Sequence, residues 1–215
     1  MSITGARYLV DRVPLYRRDR EARDDESPPD LDADICGDPT TIQRPSAGLG
    51  PLFHRAYWIA VTDEECDAET LISHILREPN AVTPTEMARF ETFDGDHARD
   101  LEVGDELIVR LPGPWDGPVR VVERTPTSFR LVTLKGHMEA GQIEFATSYD
   151  NRGFLQFRID SWARSGDRLF HVLYERFPVG REMQLHMWSQ FCLQVARFSG
   201  GVRMSNVSVT TTRFS

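Results

Sequence analysis

Apolar and polar side chains alternate from Phe53 onward. Phe53, Tyr57, Ile59 and Val61 share the odd positions of residues 51–63, the period-two pattern of a half-buried strand. The period then lengthens. Ala68, Leu71, Ile72, Ile75 and Leu76 recur at three- and four-residue steps, which predicts a helix that Pro79 ends. Thr62 or Asp63 is the expected cap, with Glu64 and Glu65 in the first turn, where the helix dipole favours acid. Thr83-Pro84-Thr85-Glu86 has the capping chemistry of a further short helix or turn.

Residues 89–163 return to short strands. A strand over 89–93 ends at the hairpin dipeptide Asp94-Gly95. Leu107, Val109 and Leu111 alternate through 105–111, and the proline-rich PGPWDGP at 112–118 reads as a loop. Strands over 119–124 and 128–134 flank Thr125-Pro126-Thr127. Ile143, Phe145, Thr147 and Tyr149 share one face of 142–149, and Leu155, Phe157 and Ile159 continue it in the next strand. One wet face and one buried face are the pattern of an antiparallel meander under a single covering layer.

The covering layer follows in sequence. Residues 167–177 are helix-like, Pro178 and Gly180 interrupt them, and 181–199 resume the helix before Gly200-Gly201. Met183, Met187, Trp188, Phe191, Cys192, Val195 and Phe198 form one broad apolar face on that second piece. The alternating tail over 202–212 reads as a last strand. This order predicts an α+β fold, a curved antiparallel sheet wrapped around a long C-terminal helix. Residues 1–50 are expected to be an irregular extension, partly disordered or docked, and residues 51–215 the folded domain. The extension holds the charge run RRDREARDDE, where i,i+4 pairs such as Asp19 with Arg23 can support a solvated helix. Tyr8, Leu9, Val10, Val13, Leu15 and Tyr16 give it apolar groups with which to dock.

Composition changes this picture little and removes some functions. The chain has 215 residues, 40% hydrophobic and 27% charged, with 25 basic against 33 acidic side chains and a net charge of −8. That is ordinary for a folded domain. The acid excess argues against a nucleic-acid backbone binder. Lys135 stands alone among arginines, a bias expected of a GC-rich genome. Cys36, Cys66 and Cys192 match neither a disulfide framework nor a zinc pattern and suit a reducing compartment. Arg7, Asp11 and Arg12 break any apolar leader, and 183–196 is too short and polar to span a bilayer. A cytoplasmic protein without membrane insertion is the expectation.

GHMEAGQIEF at 136–145, SWARSGDR at 161–168 and GDELIVRLPGPWDGPVRVV at 104–122 resemble an uncharacterised bacterial and plant family. It is known as domain of unknown function nineteen-ninety, near the START-like helix-grip proteins. The likeness spans roughly residues 45–201, and Gly-His-x-Glu-x-Gly is its most specific part. Trp162-Ala163-Arg164 departs from the Arg-Pro that many members carry there. The resemblance implies a sheet gripping a C-terminal helix, often with an apolar cavity between them. It implies no chemistry.

Candidate chemistry must therefore come from the residues. In an extended stretch His137 and Glu139 point to one side, where a carboxylate can raise the imidazole's proton affinity or orient it as a base. The alternative is a hydrogen bond stabilising a glycine-flanked strand turn. Arg164 can hold a carboxylate bidentately or pair with Asp160 or Asp167. His186 sits at the margin of the helix's apolar face, and Trp115 on its loop can close a cavity mouth or pack beneath. The six histidines lack metal-ligand spacing, and phosphate-loop, dinucleotide and nucleophile-elbow motifs are missing, so neither metal nor cofactor is expected. Three functions remain. One is a module binding a small apolar molecule, with Trp115, His137, Glu139, Phe145, Phe157, Trp162, Arg164, His186, Met187 and Phe191 as its wall. The second is an enzyme on an apolar substrate with His137 and Glu139 as acid–base pair. The third is a protein-interaction module, for instance a homodimer.

Overall fold

A computed structural model gives the architecture over residues 15–31, 38, 40–92, 99–111, 116–166 and 179–214. The helix-like 167–177, the Asp94-Gly95 turn and Trp115 lie outside the described residues. Strands β1 (Leu15–Glu21), β2 (Leu49–Thr62), β3 (Arg89–Thr92), β4 (Glu106–Arg110), β5 (Asp116–Arg124), β6 (Ser128–Thr133), β7 (Glu139–Tyr149), β8 (Leu155–Ser165), β9 (Val202–Arg203) and β10 (Val207–Phe214) form one sheet. Its order is β1-β10-β2-β8-β7-β6-β5-β4-β3, with β9 beside β2. The run β3 to β8 is the meander that alternation predicts. β2 and β10 extend it by long-range antiparallel pairing, and β1 adds to β10 in parallel.

Two helices lie on one face, α1 (Ala68–Arg77) and the long α2 (Val179–Phe198). The inward residues of the sheet, such as Tyr57, Ile59, Phe145 and Ile159, share one core with Leu71, Ile72 and Ile75 of α1 and Phe191, Cys192 and Val195 of α2. Each of these is almost wholly removed from water, worth roughly 1.5–3 kcal/mol for a large aliphatic or aromatic side chain. The protein is thus an α+β helix-grip structure. No helix among the described residues is long and apolar enough to cross a membrane.

Local expectations shift at three places. The cap of α1 is Asp67, whose carboxylate accepts the Thr70 N–H at 2.8 Å, whereas Asp63 turns the chain at φ 53°. Strand β5 begins inside the expected proline-rich loop, at Asp116, and the Pro118 carbonyl accepts the Leu134 N–H at 2.9 Å. The charge run at 17–21 forms strand β1 rather than a helix. A seven-residue ladder to β10 outweighs i,i+4 pairs worth only about 0.3–0.5 kcal/mol each. Arg17 and Asp19, two apart and so on one face of the strand, hydrogen-bond directly.

The neighbouring strands β7 and β8 approach too closely for a side chain at Gly141. A Cβ there would lie 2.8 Å from the Ala163 Cα and closer still to the Trp162 carbonyl oxygen. Gly141→Ala is therefore expected to cost about 1–3 kcal/mol, read as a lowered urea midpoint. An unchanged midpoint would mean that the two strands can spread at this point.

Candidate functional site

The helix and the sheet do not close on each other along their full length. The lower half of α2 packs against an aromatic cluster in which Phe129 and Phe145 stack at 4.7 Å. Phe191 meets Phe145 at 5.5 Å and Phe157 at 6.0 Å. Above that floor, beside the first turns of α2, lies a cavity of about 230 Å³. Its walls are largely apolar: Phe90, Val109, Leu131 and Ile143 from the sheet, with Met183 and Met187 from the helix. Methionine suits such a wall because its unbranched chain adapts to irregular shapes.

Polar groups gather at one corner. His137, Glu139 and Gln184 border the cavity there, contributed by the β6–β7 turn, β7 and α2, and Ser161 borders it from β8, opposite Ile143 rather than Glu139. Gln184 Nε2 donates to Glu139 Oε2 at 3.0 Å, tying the helix to the start of β7. Arg55, only 5% exposed, occupies the inward position of β2 directly opposite Ser161. Its positive charge acts on the Glu139 carboxyl, yet burial outweighs it and holds that carboxyl above the usual range.

His137 takes a different role from the one its spacing suggests. It lies in the turn before β7, not in the strand, so its ring folds back onto the backbone. Its Nδ1 lies 2.9 Å from the Glu139 backbone nitrogen and 3.1 Å from the Glu139 carbonyl oxygen, within hydrogen-bond reach of both. The Glu139 carboxylate is turned to Gln184 instead. Desolvation therefore dominates, and the imidazole's pKa falls to about 4 rather than rising. A Cβ on Gly117 would meet His137 Nε2 at 2.9 Å, so this glycine makes room for the ring.

Gln43 holds the turn. Its Nε2 donates to the carbonyls of His137 at 2.8 Å and Glu139 at 3.1 Å, and its own backbone N–H donates to the Thr133 carbonyl at 2.8 Å. Sequence patterning missed this residue, since it lies in the irregular stretch before β2. Ser161 is a further wall group that patterning does not single out, although its odd position in a strand with inward odd residues carries the signal.

The other expected wall residues are spread over different surroundings. Met187 lines the cavity, while Phe145, Phe157 and Phe191 fill the floor beneath it. Trp162 and Arg164 alternate with the inward Ser161 and Ala163 and so lie on the opposite face of the sheet. There Trp162 stacks on His54 at 3.9 Å and packs with Leu31, Leu52 and Phe214, and His54 Nε2 lies 2.7 Å from Asp160 Oδ1. His186 is half-buried on α2 outside the cavity wall.

The histidine makes a pH prediction with a definite sign. An unfolded-chain imidazole protonates near pH 6.5, roughly, so the unfolded state binds the proton first and stability falls as pH drops from there toward 4. The full effect is on the order of 3 kcal/mol at most. Glu139 slopes the opposite way, because its raised pKa stabilises the fold at low pH. NMR titration of the ring signals should find His137 neutral down to about pH 4. A midpoint near 6.5, roughly the free value, would contradict the burial described above.

No curated protein matches this sequence. Among solved structures, it is similar to norcoclaurine synthase from Thalictrum flavum in complex with dopamine and hydroxybenzaldehyde. The identity there is 10%, with 72% of this chain and 89% of that one covered at a TM-score of 0.47. A hypothetical protein from Helicobacter pylori is 9% identical over 67% of this chain and 86% of that one, with a TM-score of 0.49. A conserved protein from Geobacillus kaustophilus is 13% identical over 70% and 98%, with a TM-score of 0.46. The helix-grip assignment rests on the strand order and helix placement of this chain itself. In sequence, the family DUF1990 matches residues 80–194, more than half of the chain and all of the cavity-bearing meander. The protein belongs to this family, described as a domain of unknown function.

Proposed function

We propose that the protein binds a small, predominantly apolar molecule in the cavity between α2 and the meander. The observation that carries this reading is the hollow itself. An interface between sheet and helix normally packs to the density of an organic crystal, and a void forfeits contacts on every side. Here about 230 Å³ stays open beside two adaptable methionines and one polar corner. That is the usual make-up of a ligand pocket: apolar walls with a few convergent polar groups. A cavity of about 150 Å³ suffices for benzene, so this one suits a ring with a short chain or a molecule of like size.

A second reading, acid–base chemistry on such a molecule, has one observation in its favour. Glu139 borders the cavity with a carboxyl that burial pushes upward, as proton-transferring carboxyls require. In that case Glu139, rather than His137, is the group that exchanges the proton.

Native mass spectrometry of gently purified protein, followed by denaturation, should release an apolar compound from part of the population. Ala163 borders the cavity from β8, and Ala163→Phe should fill the space. Binding of an added probe such as propylbenzene should then weaken at least tenfold, roughly the effect of blocking one ring's worth of contacts, with thermal stability unchanged or raised. Equal binding by the filled variant would exclude this cavity as the site.

A further inference from the structure

Four of the chain's six methionines border the hollow beneath α2: Met87, Met138, Met183 and Met187. Met183 and Met187 stand four apart on α2, so their side chains are neighbours on one helix face. Met87 comes from the turn before β3 and Met138 from the turn before β7. Helix α2 carries methionine nowhere else. Further along, where it packs on the filled floor, its buried residues include Phe191, Cys192, Leu193, Val195 and Ala196. Methionine in this helix therefore tracks the hollow and is not a general filler of the core.

Leucine at these positions would occupy much the same volume and be just as apolar. Methionine adds a polarisable sulfur on an unbranched, adaptable chain, and that sulfur gains contacts with an aromatic ring that a saturated group does not return. Phe90 and Trp188 border the same hollow, and a ring gains from offset or edge-on contact with another ring. An alkyl ligand would be served equally well by leucine and valine and would use none of these groups. We propose, resting on the apolar-ligand reading above, that the cavity selects an aromatic ring over a saturated group of the same skeleton. The preference resides in the wall made by Met183 and Met187 and does not draw on the polar corner.

The test titrates propylbenzene and propylcyclohexane calorimetrically into the full chain and into a double variant, Met183→Leu with Met187→Leu. Leucine for methionine conserves volume and is well tolerated in a core. The readout is the ratio of the propylcyclohexane to the propylbenzene dissociation constant. Its change on substitution cancels the difference between the two probes in leaving water. The double variant should lower this ratio about fivefold, the gain expected of two sulfur–ring contacts, while propylcyclohexane keeps its affinity within about twofold. Met204→Leu, at a 46% exposed position outside the cavity wall, should leave the ratio unchanged. A ratio unchanged or raised in the double variant, or lowered equally by Met204→Leu, would overturn the aromatic assignment and leave the apolar cavity standing. Loss of both probes from the double variant alone would overturn it as well, since the methionines would then serve the cavity's shape. Failure of the unaltered chain to bind either probe would instead overturn the cavity reading on which it rests.

Discussion

A sheet of this width cannot be covered by one helix. The nine strands of the main path, spaced at about 4.8 Å, span roughly 40 Å, whereas a helix with its side chains is only about 10–12 Å across. Helix α1 covers part of the concave face, and the sheet must curve to bring the rest against α2. The aromatic cluster of Phe129, Phe145, Phe157 and Phe191 fills the space where curvature suffices. Where it does not, the sheet and the start of α2 stay apart, and the hollow is the remainder.

Polar contacts join the packing of Leu185 and Trp188 at that end. Glu182 reaches Arg17 of β1 at 2.6 Å, and Gln184 reaches Glu139 of β7 at 3.0 Å, so the first turns of α2 are tied to strands far apart in the sheet order. Gln43 fixes the turn that presents Glu139, and Gly117 leaves room for the His137 ring. The Arg17–Glu182 pair is exposed and weak by itself. The Gln184–Glu139 contact is sheltered and carries more weight. Together they set where the polar corner stands relative to the methionine wall.

Much of the fold was legible because burial imposes a period. The meander, α1 and the apolar face of α2 follow from alternation and from three- and four-residue steps. The charge run at 17–21 was not legible as a strand, because its partner lies almost two hundred positions away and its own side chains carry no alternation of polarity. The cavity was harder still. Ile143 and Phe145 are neighbours on one face of one strand and look alike in the pattern, yet one borders the hollow and the other lies in the filled floor. That difference depends on the distance to α2, which no local pattern encodes. His137 shows the same limit from the side of chemistry. Its two-residue spacing from Glu139 suggests a shared carboxylate contact, and the turn geometry gives it a backbone contact instead.

Whether the space beneath the start of α2 takes up an apolar molecule is open to direct observation. Isotope-filtered NMR with dissolved propylbenzene would detect contacts between the probe and individual methyl groups. A binding cavity there gives intermolecular signals to the methyls of Met183, Met187, Leu131 and Ile143, saturating with probe concentration. Signals confined to the opposite face of the sheet around Trp162 and Phe214, or no saturable signals at all, would contradict it.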